Sequence, residues 1–312
     1  MTLFVQTVIL GLLIGGVYAL LASGLTLIFG VMDVINVAQG ALIIFAAFLT
    51  WWIWHETGID PLLGVLLTTP AMFLLGMAMY RGTVQWISGR PASTSVLLTF
   101  GLALVIEGAM GLIWSTTSHA ATPGYFESSY RLGSFYFPKA QVYGCLIAVG
   151  VLALLYVLLR ATWLGRAIRA VSENVSSARL VGVNARKVAG LTFAIGVATT
   201  GSGGAIASVL YPFIPGSHYV WISRLLGIIV LGGMGSLPGA TIGAVAMGVS
   251  ETLTAVYVSP RWATLVPYVV IIVVLLVRPQ GIKALFRRQI GQFIRLDDNR
   301  SVFVRTSVSK RE

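Results

Sequence analysis

Residues 30–40 read GVMDVINVAQG and interrupt an apolar sequence that otherwise runs from residue 3 to residue 54. A break in a membrane span that carries Asp33, Asn36 and Gln39 invites an ion-binding or catalytic explanation, because such side chains are costly in hydrocarbon. A helix end and restart accounts for it more simply, with one span over roughly 4–28 and the next over 34–54. In that reading Asp33 either caps the start of the second helix or touches cargo. Asn36 and Gln39, three residues apart, fall on one face of the new helix. Small Ala38 and Gly40 leave room for a neighbouring backbone. That face is a candidate lining for a translocation path, or a source of interhelical hydrogen bonds.

The rest of the chain makes the membrane its solvent. Of 312 residues, 57% are hydrophobic and 10% charged, where a soluble domain carries about a quarter charged residues. Apolar stretches of spanning length recur from residue 3 to residue 277. They are long runs without alternation, so the expected fold is an all-α polytopic bundle and not a barrel. Spans read approximately as 4–28, 34–54, 61–80, 94–114, 141–160, 188–210, a pair within 222–257, and 264–277, eight or nine in all. The doubtful pair begins with LLGIIVLGGMGS, which is too short to cross and whose glycines permit a broken or re-entrant element. The opening MTLFVQTVIL has no basic leader region and reads as the first span. The single cysteine, Cys145, has no partner for an intramolecular disulfide. Residues 1–286 form the transmembrane domain in this reading, and 287–312 a basic tail suited to anionic lipid.

The net charge of +11 is a topology signal and not a nucleic-acid one. Arg81 and Arg90 flank one loop, six basic residues from Arg160 to Lys187 crowd another, and nine follow from Arg278 to Arg311, which makes 17 of the 21. The positive-inside rule puts all three segments in the cytoplasm, the N-terminus outside and the C-terminus inside. Arg131, Lys139, Arg224 and Arg261 remain for the outer side or its edge. Trp51, Trp52 and Trp54 precede an outer loop, as interfacial aromatics do. Small-residue rows at Gly11/Gly15, Gly235/Gly239/Gly243 and Ala244/Gly248 suit close helix packing.

Catalysis finds no support. There is no phosphate-cradling Gly-x-x-x-x-Gly-Lys-Ser/Thr loop, and His55, His119 and His218 do not combine with Cys145 into a metal set. The most informative polar stretch is WLGRAIRAVSENVSSARLVGVN, residues 163–184. Leu164, Ile168 and Val171 share a helical face, opposite Arg166, Arg169 and Ser172. Asn174 fits an N-cap and Gly182 the left-handed position after a helix end. The spacing predicts two short helices with an elbow at Glu173-Asn174, suited to dock a cytoplasmic partner.

GRAIRAVSENVSSARLVGVNARKVAGLTFAIG at 165–196 resembles the cytoplasmic coupling segment of branched-chain amino acid ABC importer permeases. GLLIGGVYALLASGLTLIFGVMDVINVAQG at 11–40, VLGGMGSLPGATIGAVAMG at 230–248 and LLVRPQG at 275–281 resemble that family's other hallmarks in the same order. Length and order favour the LivH-like member of the pair. The resemblance implies a subunit without chemistry or cofactor of its own. Its implied partners are a homologous LivM-like permease, two cytoplasmic ATPases that bind ATP and Mg, and an extracytoplasmic binding protein, in a bacterial or archaeal plasma membrane. It further implies that Arg166, Arg169, Glu173, Asn174, Arg179 and Gly182 belong to the part seated in an ATPase groove. Two positions depart from the pattern: Gln39 stands where the family usually has His, and Val175 where many members have Pro. Gln39 does not titrate, which argues against a proton relay there.

A reading from another class stands beside it, an ion- or proton-coupled secondary transporter with Asp33, Glu107 and Glu251 as relay carboxylates. Glu107 and Glu251 each lie late in a Gly-rich span, where pairing across helices is the simpler role.

Overall fold

A computed structural model describes residues 1–87 and 92–277. Arg90 and everything from Arg278 on, including the 287–312 tail, lie outside the described residues.

The chain is built from helices α1 (Thr2–Met32), α2 (Gln39–Thr57), α3 (Val65–Gly82), α4 (Ala92–Trp114) and α5 (Lys139–Ala161), then α6 (Trp163–Glu173) and α7 (Val175–Leu180). There follow α8 (Ala185–Leu210), α9 (His218–Gly232), α10 (Leu237–Tyr257), α11 (Pro260–Ala263) and α12 (Val266–Val277). A small antiparallel hairpin, β1 (Ser129–Leu132) and β2 (Phe135–Pro138), precedes α5. Helices α1, α3, α4, α5, α8 and α10 are long and apolar enough to cross a membrane. The protein is therefore an all-α, multi-pass membrane bundle.

Helix α8 is the hub. Within its most apolar window 89% of residues are buried, against 61% for α1 and 17% for α4, so α8 and α1 form the centre and α4 lies at the periphery. Small residues set the central contact. A side chain on Gly24 of α1 would meet the Gly196 carbonyl of α8 at 2.2 Å, so only glycine lets these backbones touch. The rows expected at Gly11/Gly15 and Ala244/Gly248 meet one another across the α1–α10 contact. Without a hydrophobic driving force between helices, such close approach supplies the packing energy.

Two segments depart from the sequence-based expectation. The second span starts at residue 39 and not 34, because 33–38 is non-helical and largely buried. Gln39 reaches Gly196 and Thr200, midway along α8, so α2 begins inside the bundle. The expected pair within 222–257 is α9 and α10, and α9 starts earlier, at His218, after the irregular stretch 211–217. At 15 residues α9 is about 22 Å long, short of the roughly 30 Å hydrocarbon core. It ends where Gly233 and Gly235 take left-handed φ of 89° and 79°. The hairpin went unanticipated, though Gly133-Ser134 between Leu132 and Phe135 is a two-residue turn with glycine first, at φ 61°.

Candidate functional site

The non-helical segment 33–38 and the segment 211–217, which ends in a 3₁₀ turn at Pro215–Ser217, each lead into a helix that starts within the bundle, and the two starts touch. A side chain on Gly40 would meet the His218 carbonyl at 2.5 Å, so α2 and α9 begin side by side. Non-helical backbone is tolerated at membrane depth only where protein buries it or a cavity borders it. Here Val37 N–H donates to Thr99 Oγ1 at 3.0 Å, and the Thr99 hydroxyl lies 3.1 Å from the Ile35 carbonyl, which ties the 33–38 segment to α4.

Around that break lies a buried polar network. Asn36 Nδ2 donates to Gln39 Oε1 at 2.8 Å, and Gln39 Nε2 donates to Thr200 Oγ1 and, at 3.4 Å, to the Gly196 carbonyl. Thr199 and Thr200 hydroxyls both donate to that same carbonyl at 2.9 Å. Asn36 and Gln39 are fully buried, and Asn36 Oδ1 has no hydrogen-bond partner among the described residues. Gln39 alone thus bonds from α2 to α8, while Asn36, which lies in the non-helical segment before α2 and not on its face as the sequence suggested, bonds to Gln39. Asn36→Leu strands Gln39 Oε1, at about 1–3 kcal/mol, whereas Asn36→Gln keeps an amide. The leucine variant is expected to lose more uptake in a transport assay; equal activity of the two would reduce the network to packing.

Asp33 does not play the capping role read from the sequence. It does not cap α2, whose N-cap position is Ala38 with no side-chain bond. Instead it closes α1 in the left-handed conformation, φ 53° and ψ 26°, its N–H donating to the Phe29 carbonyl at 2.9 Å. Aspartate tolerates that conformation better than most residues. Its side chain is exposed, away from the Asn36–Gln39 network.

Glu107 and Glu251 both engage the half-length helix α9, from opposite neighbours. Glu107 of α4 accepts through Oε2 from His218 Nε2 at 3.0 Å and from the Tyr219 hydroxyl at 3.2 Å. Glu251 of α10 accepts from Arg224 Nε at 2.9 Å and from the Tyr18 hydroxyl at 2.6 Å. The Arg224 guanidinium also stands 5.1 Å from the Trp221 ring centroid, 5.6 Å from Tyr18 and 5.9 Å from Tyr211. The Arg224 side chain is only 15% exposed. A single arginine in an apolar stretch, with one acid 27 residues on, was the sequence signal for this pair. Among the described residues Asp33, Glu107 and Glu251 share no hydrogen-bond partner.

The elbow at Glu173-Asn174 stands where local capping chemistry placed it. Thr162 caps α6, accepting from Gly165 N–H at 3.1 Å, and Asn174 caps α7, accepting from Ser177 N–H at 2.9 Å. Gly182 follows at φ 82°. Ile168 and Val171 are buried with Ala167 and Ala178 against Leu27 of α1, Leu155 of α5 and Val188 of α8, and Leu164 packs on their edge. Arg166, Arg169, Glu173, Asn174 and Arg179 are exposed, beside bare apolar Leu180 and Val181. The result is an exposed face of polar and apolar side chains packed on three helices of the bundle.

At the opposite end, the tryptophans divide. Trp52 faces out, whereas Trp51 stacks on His55 at 5.3 Å and meets His119 at 4.2 Å. Phe48 and Trp114 continue this cluster at 5.3 Å. Nearby the Tyr125 hydroxyl donates to Asp60 Oδ1 at 3.0 Å; burial, then this bond, pushes the phenol well above its ordinary range. Among the described residues no group of three or more His, Cys, Asp or Glu could hold a metal ion.

The chain matches the family described as branched-chain amino acid transport system / permease component over residues 7–275. It is 28% identical to the high-affinity branched-chain amino acid transport system permease protein LivH of Salmonella typhimurium, over 89% of this chain and 95% of that one. It is 27% identical to BraD of Pseudomonas aeruginosa, with the same coverage of each chain, and 25% identical to LivM of Escherichia coli, over 88% of this chain and 69% of that one. No solved structure matches the chain. With the family pattern covering nearly all the described bundle, this chain belongs to the branched-chain amino acid transport system permease family.

Proposed function

We propose that this chain is the transmembrane permease subunit of an ATP-driven importer, forming half of a translocation path for branched-chain or similar hydrophobic amino acids. The observation that carries it is the α6–α7 elbow: a capped, exposed, partner-seeking unit rooted in α1, α5 and α8. A self-sufficient carrier has no use for one. Sequence likeness to LivH, BraD and LivM permeases supports the assignment, and likeness to LivM suggests a homologous permease as the other half.

In this reading the ATP and Mg are bound by two separate cytoplasmic subunits, and an extracytoplasmic binding protein delivers cargo. Closing of the ATPases pushes α6 and α7, and the bundle rocks between outward- and inward-open states. The N-terminus faces outward and the C-terminus the cytoplasm. Nine membrane elements result, α1 to α5, α8 to α10 and α12. The path runs by the paired starts of α2 and α9, where Asn36, Gln39 and Glu107 stand, because helix breaks at mid-depth are where substrate groups are held in membrane carriers.

The test is labelled L-leucine uptake into proteoliposomes holding the full assembly. Uptake is expected to need internal or external ATP on the side of the elbow, and to vanish without the ATPase subunits. ATP-independent uptake at the same rate would remove the importer reading.

A further inference from the structure

We infer that the groove between α4 and the 211–217 segment is a subsite for the primary ammonium group of a small aliphatic solute, with Glu107 as the group that receives it. This deepens the reading of the chain as an amino-acid permease and rests on it.

The groove has a volume of about 630 Å³, inside the range of small-molecule sites. Its walls are Leu104 and Leu112 of α4 and Ile214 opposite, and Gly108 and Gly216 leave its floor without side chains. Glu107 is its only ionisable lining residue. The carboxylate is held and half used. Oε2 takes both bonds, from the buried His218 ring at 3.0 Å and from the Tyr219 hydroxyl at 3.2 Å. Oε1 accepts no hydrogen bond among the described residues and lies 3.6 Å from where a Gly216 side chain would begin. His218 is 2% exposed and Glu107 27%, so the fixed side faces the protein and the open side the groove.

A carboxylate has about four acceptor positions. With two donors on one oxygen, the other is presented, already oriented, to whatever enters. A cationic donor gains most there, since charge-assisted bonds are about twice as strong as neutral ones. An anion is repelled. A metal ion would need a fuller ligand set, and among the described residues Glu107 and His218 are not joined by a third His, Cys, Asp or Glu that could hold one. What fits is a compact ammonium on a short apolar body, which the leucine and isoleucine walls would cover. Phosphatidylethanolamine offers the same ammonium on a lipid, so the two sources must be separated by experiment.

A thiol placed beside Glu107 does this. A side chain on Gly108 would meet nothing within 4 Å, so Gly108→Cys, with Cys145→Ser to remove the native thiol, puts a reporter in the groove. Thr116→Cys, at the groove's other end, serves where the first variant assembles poorly. The full assembly is reconstituted in phosphatidylcholine liposomes and labelled with cationic and anionic methanethiosulfonate reagents. The cationic reagent is expected to gain about ten-fold in relative rate from Glu107, a preference lost in Glu107→Gln. L-leucine at millimolar concentration is expected to slow labelling with Glu107 present and not in Glu107→Gln. Equal reagent preference with and without Glu107, or no protection by leucine, overturns the subsite. Protection by phosphatidylethanolamine alone overturns its assignment to a transported solute. Labelling is read without turnover, whereas ATP-dependent uptake by the unmodified assembly reports separately on the importer reading.

Discussion

Glu173→Arg abolishes ATP-driven uptake while the chain still inserts and assembles. Glu173 is the last residue of α6 and the only acid on a face that otherwise carries Arg166, Arg169 and Arg179. Its side chain is exposed, so the substitution removes no packing, and surface changes of this kind move stability by about 0.5 kcal/mol or less. The helix dipoles give no large penalty either. A positive charge is favourable at the end of α6 and unfavourable just before α7, each by about 0.3–1 kcal/mol. What changes is the pattern offered to the proposed partner: a mixed face becomes wholly basic, and any partner cation that pairs with the carboxylate would then meet a like charge. Because α6 and α7 are packed on α1, α5 and α8, losing that contact uncouples the lever from the bundle. Uptake at background level, with normal yield and a normal gel-filtration profile, is the expected result. Undiminished uptake would remove Glu173 from the coupling face.

Glu251→Ala is the most destabilising single change expected. It leaves the Arg224 guanidinium, 15% exposed, with three ring faces and no anion. It also leaves the buried Tyr18 hydroxyl without its 2.6 Å acceptor. Breaking a buried pair from one side costs about 3–5 kcal/mol, because an uncompensated charge stays behind. Removing both charges is cheaper, and Glu251→Leu combined with Arg224→Leu is expected to recover most of the stability lost. Thermal unfolding of the detergent-solubilised chain measures this. A Glu251→Ala variant as stable as the parent would mean that the pair contributes nothing, and a double variant worse than the single would mean that the rings and not the charges hold α9.

The bundle was legible because spanning helices need long apolar runs and loops need charge, and both are plain in the sequence. The start of α2 was not. Val34, Ile35 and Val37 are as apolar as the helix that follows, and an apolar run reads the same whether it is helical or buried and extended. What stops the helix before residue 39 is tertiary: Ile35 and Val37 backbone groups bond to Thr99, more than 60 residues away. The same holds for α9, whose start beside Gly40 depends on a backbone contact no local pattern encodes. The elbow at Glu173-Asn174 was fully legible, since caps are made within three residues of the residue that makes them. Asn36, Gln39 and Arg224 announce themselves as polar residues in apolar sequence, whereas which residues they meet is not legible, since Thr200 and Glu251 stand on other helices. Asp33 closes α1 where a cap for α2 was expected, because a left-handed helix end and a helix start attract the same residue type.

The central claim is that this chain moves solute only when ATPases drive its elbow. The direct measurement is labelled L-leucine uptake by the purified chain alone in proteoliposomes, under an imposed proton or sodium gradient, beside the complete assembly supplied with ATP. The account predicts no gradient-driven uptake by the chain alone and ATP-dependent uptake by the assembly. Gradient-driven uptake by the chain alone would contradict it.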